Sequence, residues 1–365
     1  MRVAMNKTNY KIAILCRTYN HKHYIQEALK GFAMQKTDFP FVAFVTDDCS
    51  TDNEQEVILS FAQKELDMAY AEKEETEDYT RIIAKHLINK NCTFVFFLLK
   101  YNHHQIKKST SLYLNDFLTL DMYLAICEGD DYWTDPHKLQ KQIRFLDSHP
   151  EYTMTCHRVK CYSETKKKFV REDFCYMKSR DIKVKDIIYR TGIFIPTCSI
   201  VFRRRVYVNY PKYCIECLVG DYPLQIRCAM LGKTYYFNEP MGVYRVEDKN
   251  SWTGKQQWNG YSEQRVKVIR SQVNMFKGFA NDHPQWRKIF HKKEIDQIIR
   301  FFPRNWTTSK EDQKKYYEAF SDELNNLTFL EKLDLKIRMC DNSYIKGLYY
   351  KLYLYRFSPK TKVYE

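Results

Sequence analysis

Residues 122–133 read Met-Tyr-Leu-Ala-Ile-Cys-Glu-Gly-Asp-Asp-Tyr-Trp, an apolar run cut off by Glu128, Gly129, Asp130 and Asp131. An apolar run of this length, bounded by turn residues, reads as a buried strand. Three carboxylates at the carboxyl end of such a strand resist joint ionisation, because like charges so close raise one another's pKa. A divalent cation would relieve the conflict. Hard cations such as Mg2+ or Mn2+ take oxygen ligands, and Mg2+ is commonly held by one or two carboxylates plus substrate phosphates. Open α/β sheets also bind their ligands outside the carboxyl ends of their strands. The residues alone leave two readings of equal weight: a metal–diphosphate site, or an acidic turn that caps the next helix.

Around this stretch, apolar strands alternate with amphipathic helices. Residues 11–16, 41–45 and 93–99 read as further buried strands. Residues 22–34 read as a helix, with Ile25, Ala28, Leu29 and Phe32 on one face. Thr51 and Glu54 have the spacing of a capping box, which predicts a helix start there. Residues 79–88 read as another helix, 164–180 as a charged loop, and 195–205 as one strand with a basic exit. Asp221 opens a helix with Leu224, Ile226 and Met230 on its apolar side and Gly232 at its end. Such alternation predicts an α/β sheet with parallel strands and helices on both faces. From residue 255 the pattern turns helical, with Leu330, Leu333 and Ile337 facing one way in the last stripe, and residues 344–362 form a tail rich in tyrosine, leucine, lysine and arginine. The expected division is an α/β domain over 8–254 and a helical, basic and aromatic region over 255–365.

The 365 residues suffice for two domains, and the net charge of +14 favours anionic partners without choosing among nucleic acid, a membrane surface and a phosphorylated substrate. The N-terminal residues lack the apolar core of a signal peptide, and no apolar run approaches the roughly 20 residues of a membrane span. A cytoplasmic location is expected. The 12 cysteines then read as reduced thiols, most of them inside apolar or helical segments. One Cys-x-x-Cys, Cys214 to Cys217, has no second pair at the spacing of a structural zinc site. His103 and His104 read as loop residues rather than metal ligands.

Four motifs stand in a telling order: Thr18-Tyr19-Asn20 after the first strand, Asp47-Asp48-Cys49-Ser50-Thr51-Asp52 after the second, Glu128-Gly-Asp130-Asp131-Tyr132-Trp133, and Gly220-Asp221-Tyr222-Pro223-Leu224. In this order they resemble the inverting GT-A glycosyltransferases of family 2, over about residues 10–254. The spelling around 128–142 is similar to a bacterial subgroup that builds surface polysaccharides. The resemblance implies a GT-A (Rossmann-like) mixed, mainly parallel sheet flanked by helices, with the C-terminal helices as an appendage. It implies a donor site made by Thr18, Tyr19, Asn20, Asp48, Asp130 and Arg245, with Tyr19 stacking on the base and Asp48 accepting from it, a uracil for preference. Asp131, Asp130 and Glu128 would hold Mn2+ or Mg2+, Asp131 being the favoured direct ligand. Asp221 would be the general base that deprotonates the acceptor hydroxyl; from spacing alone, it is a helix N-cap. Two positions depart from the pattern. Glu247 stands where many relatives carry a histidine after Tyr244 and Arg245, and Arg245 itself fits either a diphosphate contact or a structural ion pair. Cys49 stands where glycine is usual, so the turn is expected to take another backbone conformation, since cysteine tolerates positive φ poorly.

The function so implied is transfer of a sugar from a nucleotide-diphosphate donor, a UDP-sugar above others, to a hydroxyl of a glycan or lipid-linked acceptor. Two alternatives compete. A nucleotidyltransferase would show a glycine-rich and basic phosphate loop near the first strand, and residues 17–20 are not one. A nucleic-acid-binding protein would interleave bases and aromatics on a recognisable module, and only the tail has that composition, so no nucleic acid is expected. The tail suits an anionic membrane surface, making the enzyme peripheral on the inner face. Equally, the C-terminal helices could cover the catalytic domain or form a homodimer contact.

Overall fold

A computed structural model describes residues 10–173, 175–190, 194–247, 261–299, 309–339 and 361–363. The first half is built from β1 (Ile12–Thr18), α1 (Ile25–Ala33), β2 (Phe41–Asp47), α2 (Glu54–Glu65), β3 (Glu72–Glu75), β4 (Tyr79–Lys85), β5 (Cys92–Leu99), β6 (Tyr123–Ile126) and β7 (Tyr132–Trp133). There follow α3 (Lys138–Ser148), β8 (Tyr152–Ser163), β9 (Lys168–Asp173), β10 (Arg180–Asp181), α4 (Val184–Arg190), β11 (Val201–Arg203), α5 (Lys212–Ile215), α6 (Asp221–Leu231) and β12 (Lys233–Val246). The C-terminal helices are α7 (Glu263–Asp282), α8 (Arg287–Ile299), α9 (Lys310–Ala319), α10 (Ser321–Asn325) and α11 (Phe329–Met339), before a short β13 (Thr361–Val363) that pairs with β9.

One mixed sheet runs β10-β12-β8-β11-β6-β1-β2-β5-β4-β3, with β6, β1, β2 and β5 parallel at its centre. Their near-continuous apolar sequences follow from cover on both faces. Alternate residues divide between two cores: Ile12, Ile14, Phe41, Ala43 and Phe94 face α1, α2 and α3, while Ala13, Val42, Phe44 and Val95 face α4, α6 and α7. This is the expected architecture. Helix α7 belongs to two cores at once. Its Met275, Phe276 and Phe279 pack against the sheet's second face, and its Ile269 and Val273 pack with Ile298, Phe320 and Leu324 of the later helices. The expected boundary near 254 falls in 248–260, outside the described residues, as does most of the tail. Among the described residues, no helix is long and apolar enough to cross a membrane.

Several elements differ from expectation. Residues 79–85 are the strand β4, antiparallel to β5; the run Tyr-Thr-Arg-Ile-Ile is β-branched and aromatic, and pairing to a buried edge decides it. The charged segment after Ser163 folds back as β9 against β8. The single strand expected over 195–205 is interrupted, because Pro196 has no N–H to donate and Thr197–Ser199 form a 3₁₀ turn, leaving only β11. In α11, Leu330 and Leu333 are exposed while Leu335 is buried.

Candidate active site

Parallel pairing sets Thr18 beside Asp47 and Leu15 beside Ile126. The loops after β1, β2 and β6 therefore leave the sheet at one edge. The acid loop approaches β1 closely: Gly129 N–H donates to the Arg17 carbonyl at 3.0 Å, and a Cβ on Gly129 would lie 2.1 Å from Thr18 Oγ1. Only glycine fits there. Helix α1 buttresses the far end of the same loop, with Gly31 against the Trp133 backbone and Phe32 edge-on to the Trp133 ring at 5.0 Å.

The turns after β1 and β2 are tied together by a hydrogen-bonded cluster around Glu54. This carboxylate, fully buried, accepts from the Thr18 hydroxyl, from His21 N–H at 2.8 Å and from Ser50 Oγ at 2.9 Å. Burial, the largest influence on it, pushes its pKa up. The capping box expected of Thr51 and Glu54 does not form, because Glu54 points inward and Asn53 precedes the helix with φ 68°. Asn20 joins the same cluster: its N–H donates to Ser50 Oγ at 2.9 Å and its Oδ1 accepts from Thr51 N–H at 2.8 Å. Asn20 thus latches one turn to the other. Both oxygens of Asp48 accept backbone N–H groups, from His103 at 2.6 Å and His104 at 3.1 Å, so Asp48 also holds the loop after β5. Tyr19 is half-buried beside these turns. Cys49 takes φ 60°, the left-handed conformation usual for glycine, contrary to expectation. The bonds of Ser50 to Asp47 and of Asp48 to the neighbouring loop fix the turn on either side of it.

The three acids differ sharply. Asp131 is 1% exposed; its Oδ1 accepts Arg245 N–H at 2.9 Å, and the Cys198 thiol lies close enough to influence its charge. Its pKa is raised, by burial first and then by Asp130. Asp130 is partly open, with Oδ2 3.9 Å from His21 Nε2. Glu128 is open to solvent on one side, yet enough protein surrounds it that desolvation, followed by the charges of Asp130 and Asp221, pushes its pKa up to about 7, with Arg17 pulling the other way. Among the described residues no three of His, Cys, Asp or Glu converge on one point that could hold a metal. The expected trio is therefore not a protein-only cage. The accessible oxygens are those of Asp130 and Glu128, which suits an ion held by one or two carboxylates and completed by phosphate oxygens. Asp131, the favoured direct ligand from sequence, faces inward.

Arg245 makes the ion pairs that its sequence position also allowed. Its Nε donates to Glu164 at 2.8 Å, its Nη1 to the Asp130 carbonyl and its Nη2 to Glu27. The guanidinium lies over the rings of Tyr24 and Tyr132 at 4.6 and 4.8 Å. At 8% exposure it is a buried ion-pair hub that fastens the acid loop. Glu247 turns away towards Ser163 and Lys166.

Asp221 is the first residue of α6, and its Oδ2 accepts from Thr197 Oγ1 at 3.4 Å. Burial raises its pKa, while the N–H groups of its own helix start and the Thr197 hydroxyl act against that. Glu128 and Asp221 lie within electrostatic reach of each other. The acid loop and the helix start thus share one edge. The 3₁₀ turn links them: Thr197 meets Asp221, and the adjacent Cys198 meets Asp131. Glu54, His21, Thr197 and Cys198 carry no sequence signal of their own. Glu54 was legible only as a cap, and the others become visible once the strand ends are brought together.

A family model described as glycosyl transferase family 2 matches residues 14–81. The uncharacterized protein Rv1520 of Mycobacterium tuberculosis and the uncharacterized protein Mb1547 of Mycobacterium bovis are each 33% identical over 242 residues, 66% of this chain. The chain spans about 60% of the length of these relatives. Among solved structures, S. aureus TarS 1–349 in complex with UDP-GlcNAc is similar in fold, with TM-score 0.60 and 15% identity over 93% of this chain and 92% of that one. The same protein in complex with UDP gives TM-score 0.58 at 14% identity, over 97% and 96% of the two chains. The sheet order and the strand-end loops agree with the fold of these structures, and residues 14–81 match the glycosyl transferase family 2 model.

Proposed function

We propose that the protein transfers a sugar, with inversion, from a nucleotide-diphosphate donor to a hydroxyl of a glycan or lipid-linked acceptor in surface polysaccharide synthesis, with residues 8–254 as the catalytic part. The observation that carries this is that Asp130 and Asp221 both lie within electrostatic reach of Glu128, at the edge where the loops after β1, β2 and β6 leave the sheet. A UDP-sugar is the favoured donor, a choice supported by the UDP and UDP-GlcNAc complexes of TarS. Tyr19 offers a ring for the base, Thr18 and Asn20 shape the turn beneath it, and Asp48 presents a carboxylate already oriented by two backbone donors.

In this reading Asp221 accepts the proton of the acceptor hydroxyl as its oxygen attacks the anomeric carbon. The bond from that carbon to the diphosphate oxygen breaks on the opposite face, and the nucleoside diphosphate leaves with the bonding pair. Burial keeps Asp221 a stronger base than a free aspartate, and the start of α6 keeps it ionised. Asp130 and Glu128 would hold Mn2+ or Mg2+, which when bound neutralises charge on the departing diphosphate. Asp131 and Arg245 hold the acid loop in place beneath them. The basic tail would bring the enzyme to the cytoplasmic membrane, near lipid-linked acceptors.

A screen of nucleotide sugars for metal-dependent release of nucleoside diphosphate tests the proposal. One UDP-sugar should be turned over, and Asp221→Asn should lower kcat by roughly 10²–10⁴-fold, the usual worth of a general base, with the donor KM nearly unchanged. Turnover in Asp221→Asn equal to that of the parent protein would overturn the assignment.

A further inference from the structure

We propose that Thr197 is the positioning residue of Asp221: its hydroxyl takes up Oδ2 and leaves Oδ1 as the oxygen directed at an incoming hydroxyl. The 3₁₀ turn that carries Thr197 is fixed from several sides. Trp133 Nε1 donates to the Cys198 carbonyl at 2.8 Å, Gln142 Nε2 to the Ser199 carbonyl at 3.0 Å, and Ser199 Oγ to the Pro196 carbonyl at 2.6 Å. Helix α6 grips the same segment twice. Gln225, one turn after Asp221 on the same face, donates to the Ile195 carbonyl at 3.1 Å, and Asp221 accepts from Thr197. Tyr222 anchors the helix start from below, its hydroxyl bonding the Ile188 carbonyl. The backbone that carries each partner of the Thr197–Asp221 bond is therefore held by buried bonds to its neighbours. The same turn places the Cys198 thiol against Asp131. One turn thus reaches both the base and the acid loop. At 3.4 Å the bond to Asp221 is long, as catalytic bonds often are before substrate arrives.

Other charged or titratable groups facing Asp221 are Glu128 from the acid loop and Cys217 from the segment before α6. Changes at Thr197 leave both in place. The catalytic meaning of the bond rests on the function proposed above, so the test first reads the carboxyl group itself. The full chain, 13C-labelled at aspartate carboxyls and with Asp221→Asn for assignment, is titrated by NMR. Removing a donor from an ionised carboxylate destabilises the ionised form, so Thr197→Val should move the Asp221 midpoint up by about half a unit to one unit, and Thr197→Ser should restore it. Thr197→Ala serves as a second donor-free variant if valine disturbs folding. An unmoved midpoint in Thr197→Val and Thr197→Ala overturns the proposal, and so does an equal shift in Thr197→Ser. In parallel, turnover of the UDP-sugar found in the nucleotide-sugar screen should lose kcat, and not donor KM, in Thr197→Val. A midpoint that moves as expected while turnover ignores Asp221→Asn upholds the positioning and sinks Asp221 as the base.

Discussion

The two halves of the site solve opposite electrostatic problems. Between β1 and β2, each carboxylate is met by donors. Asp47 accepts from Ser50 and Gln55, Asp48 from two backbone N–H groups, Asp52 from Lys22 N–H, and Glu54 from three groups at once. Between the acid loop and α6 the carboxylates meet one another. The Glu128 pKa is raised by desolvation first and then by Asp130 and Asp221, and Asp221 has a single side-chain donor at 3.4 Å. The first half is finished by folding, since satisfied buried networks rigidify what they hold. The second stores repulsion that a proton or a cation relieves. A donor nucleotide would thus meet a preformed wall on one side and an unneutralised rim on the other.

Arg245 is where the halves are joined, and removing it should give the largest effect. It spans from Glu27 of α1 to Glu164 after β8 and holds the Asp130 carbonyl between them. Arg245→Met takes from Glu164 its buried partner and leaves it only the exposed Lys167 at 2.7 Å, and the loss of such charged hydrogen bonds costs about 1.5–3 kcal/mol. The midpoint of urea unfolding should fall accordingly. Arg245→Lys should recover only part, because a single ammonium cannot serve three acceptors in a fork. If Arg245→Met were as stable as the parent and lost only donor affinity, the residue would be a diphosphate ligand after all, and the separation drawn between the halves would fail.

Sequence made the frame legible because the parallel strands are apolar throughout and their motifs fall in order. It marked Asp130, Asp131 and Asp221 because each sits in a short motif contiguous in the chain. It missed what depends on long-range closure. Glu54 reads as a helix cap until β1 is laid beside β2 and Thr18 arrives above it. Arg245 reads equally well as a ligand or a tie, and only its 8% exposure and its partners on α1 and after β8 show the tie. The split at Pro196 was marked in the sequence by the proline itself, yet the apolar residues around it outweighed that signal. The Thr197–Asp221 bond joins residues 24 positions apart with no motif between them.

A smaller effect sharpens the rim. The folded pKa of Glu128, about 7, lies above the roughly 4.3 of an unperturbed glutamate. Between those values the native state binds more proton than the unfolded one, so stability falls as pH rises through that window. Since water reaches one side of the group, the melting temperature should fall by only about one to two degrees between pH 5 and pH 8 on its account. Glu128→Gln should flatten that slope. Mn2+ should raise the melting temperature above pH 7 and lose this effect as pH drops and Glu128 takes its proton. A slope unchanged in Glu128→Gln would mean the rim carries no such strain.

The smallest effect belongs to the finished half. Cys49 holds φ 60° in a turn fixed on both sides, and a left-handed conformation costs a non-glycine residue roughly 1–2 kcal/mol. Glycine would remove that cost but would add freedom to the unfolded chain, which takes back about 0.5–1 kcal/mol. Cys49→Gly should therefore stabilise the protein by about 0.5 kcal/mol, while Cys49→Val, with a branched Cβ in the same conformation, should destabilise it by more than about 1 kcal/mol. Urea unfolding of the two variants reads the difference directly. If valine were tolerated as well as glycine, the turn would be free to relax, and the bonds from Asp47, Ser50 and Asp48 would not make the rigid wall described above.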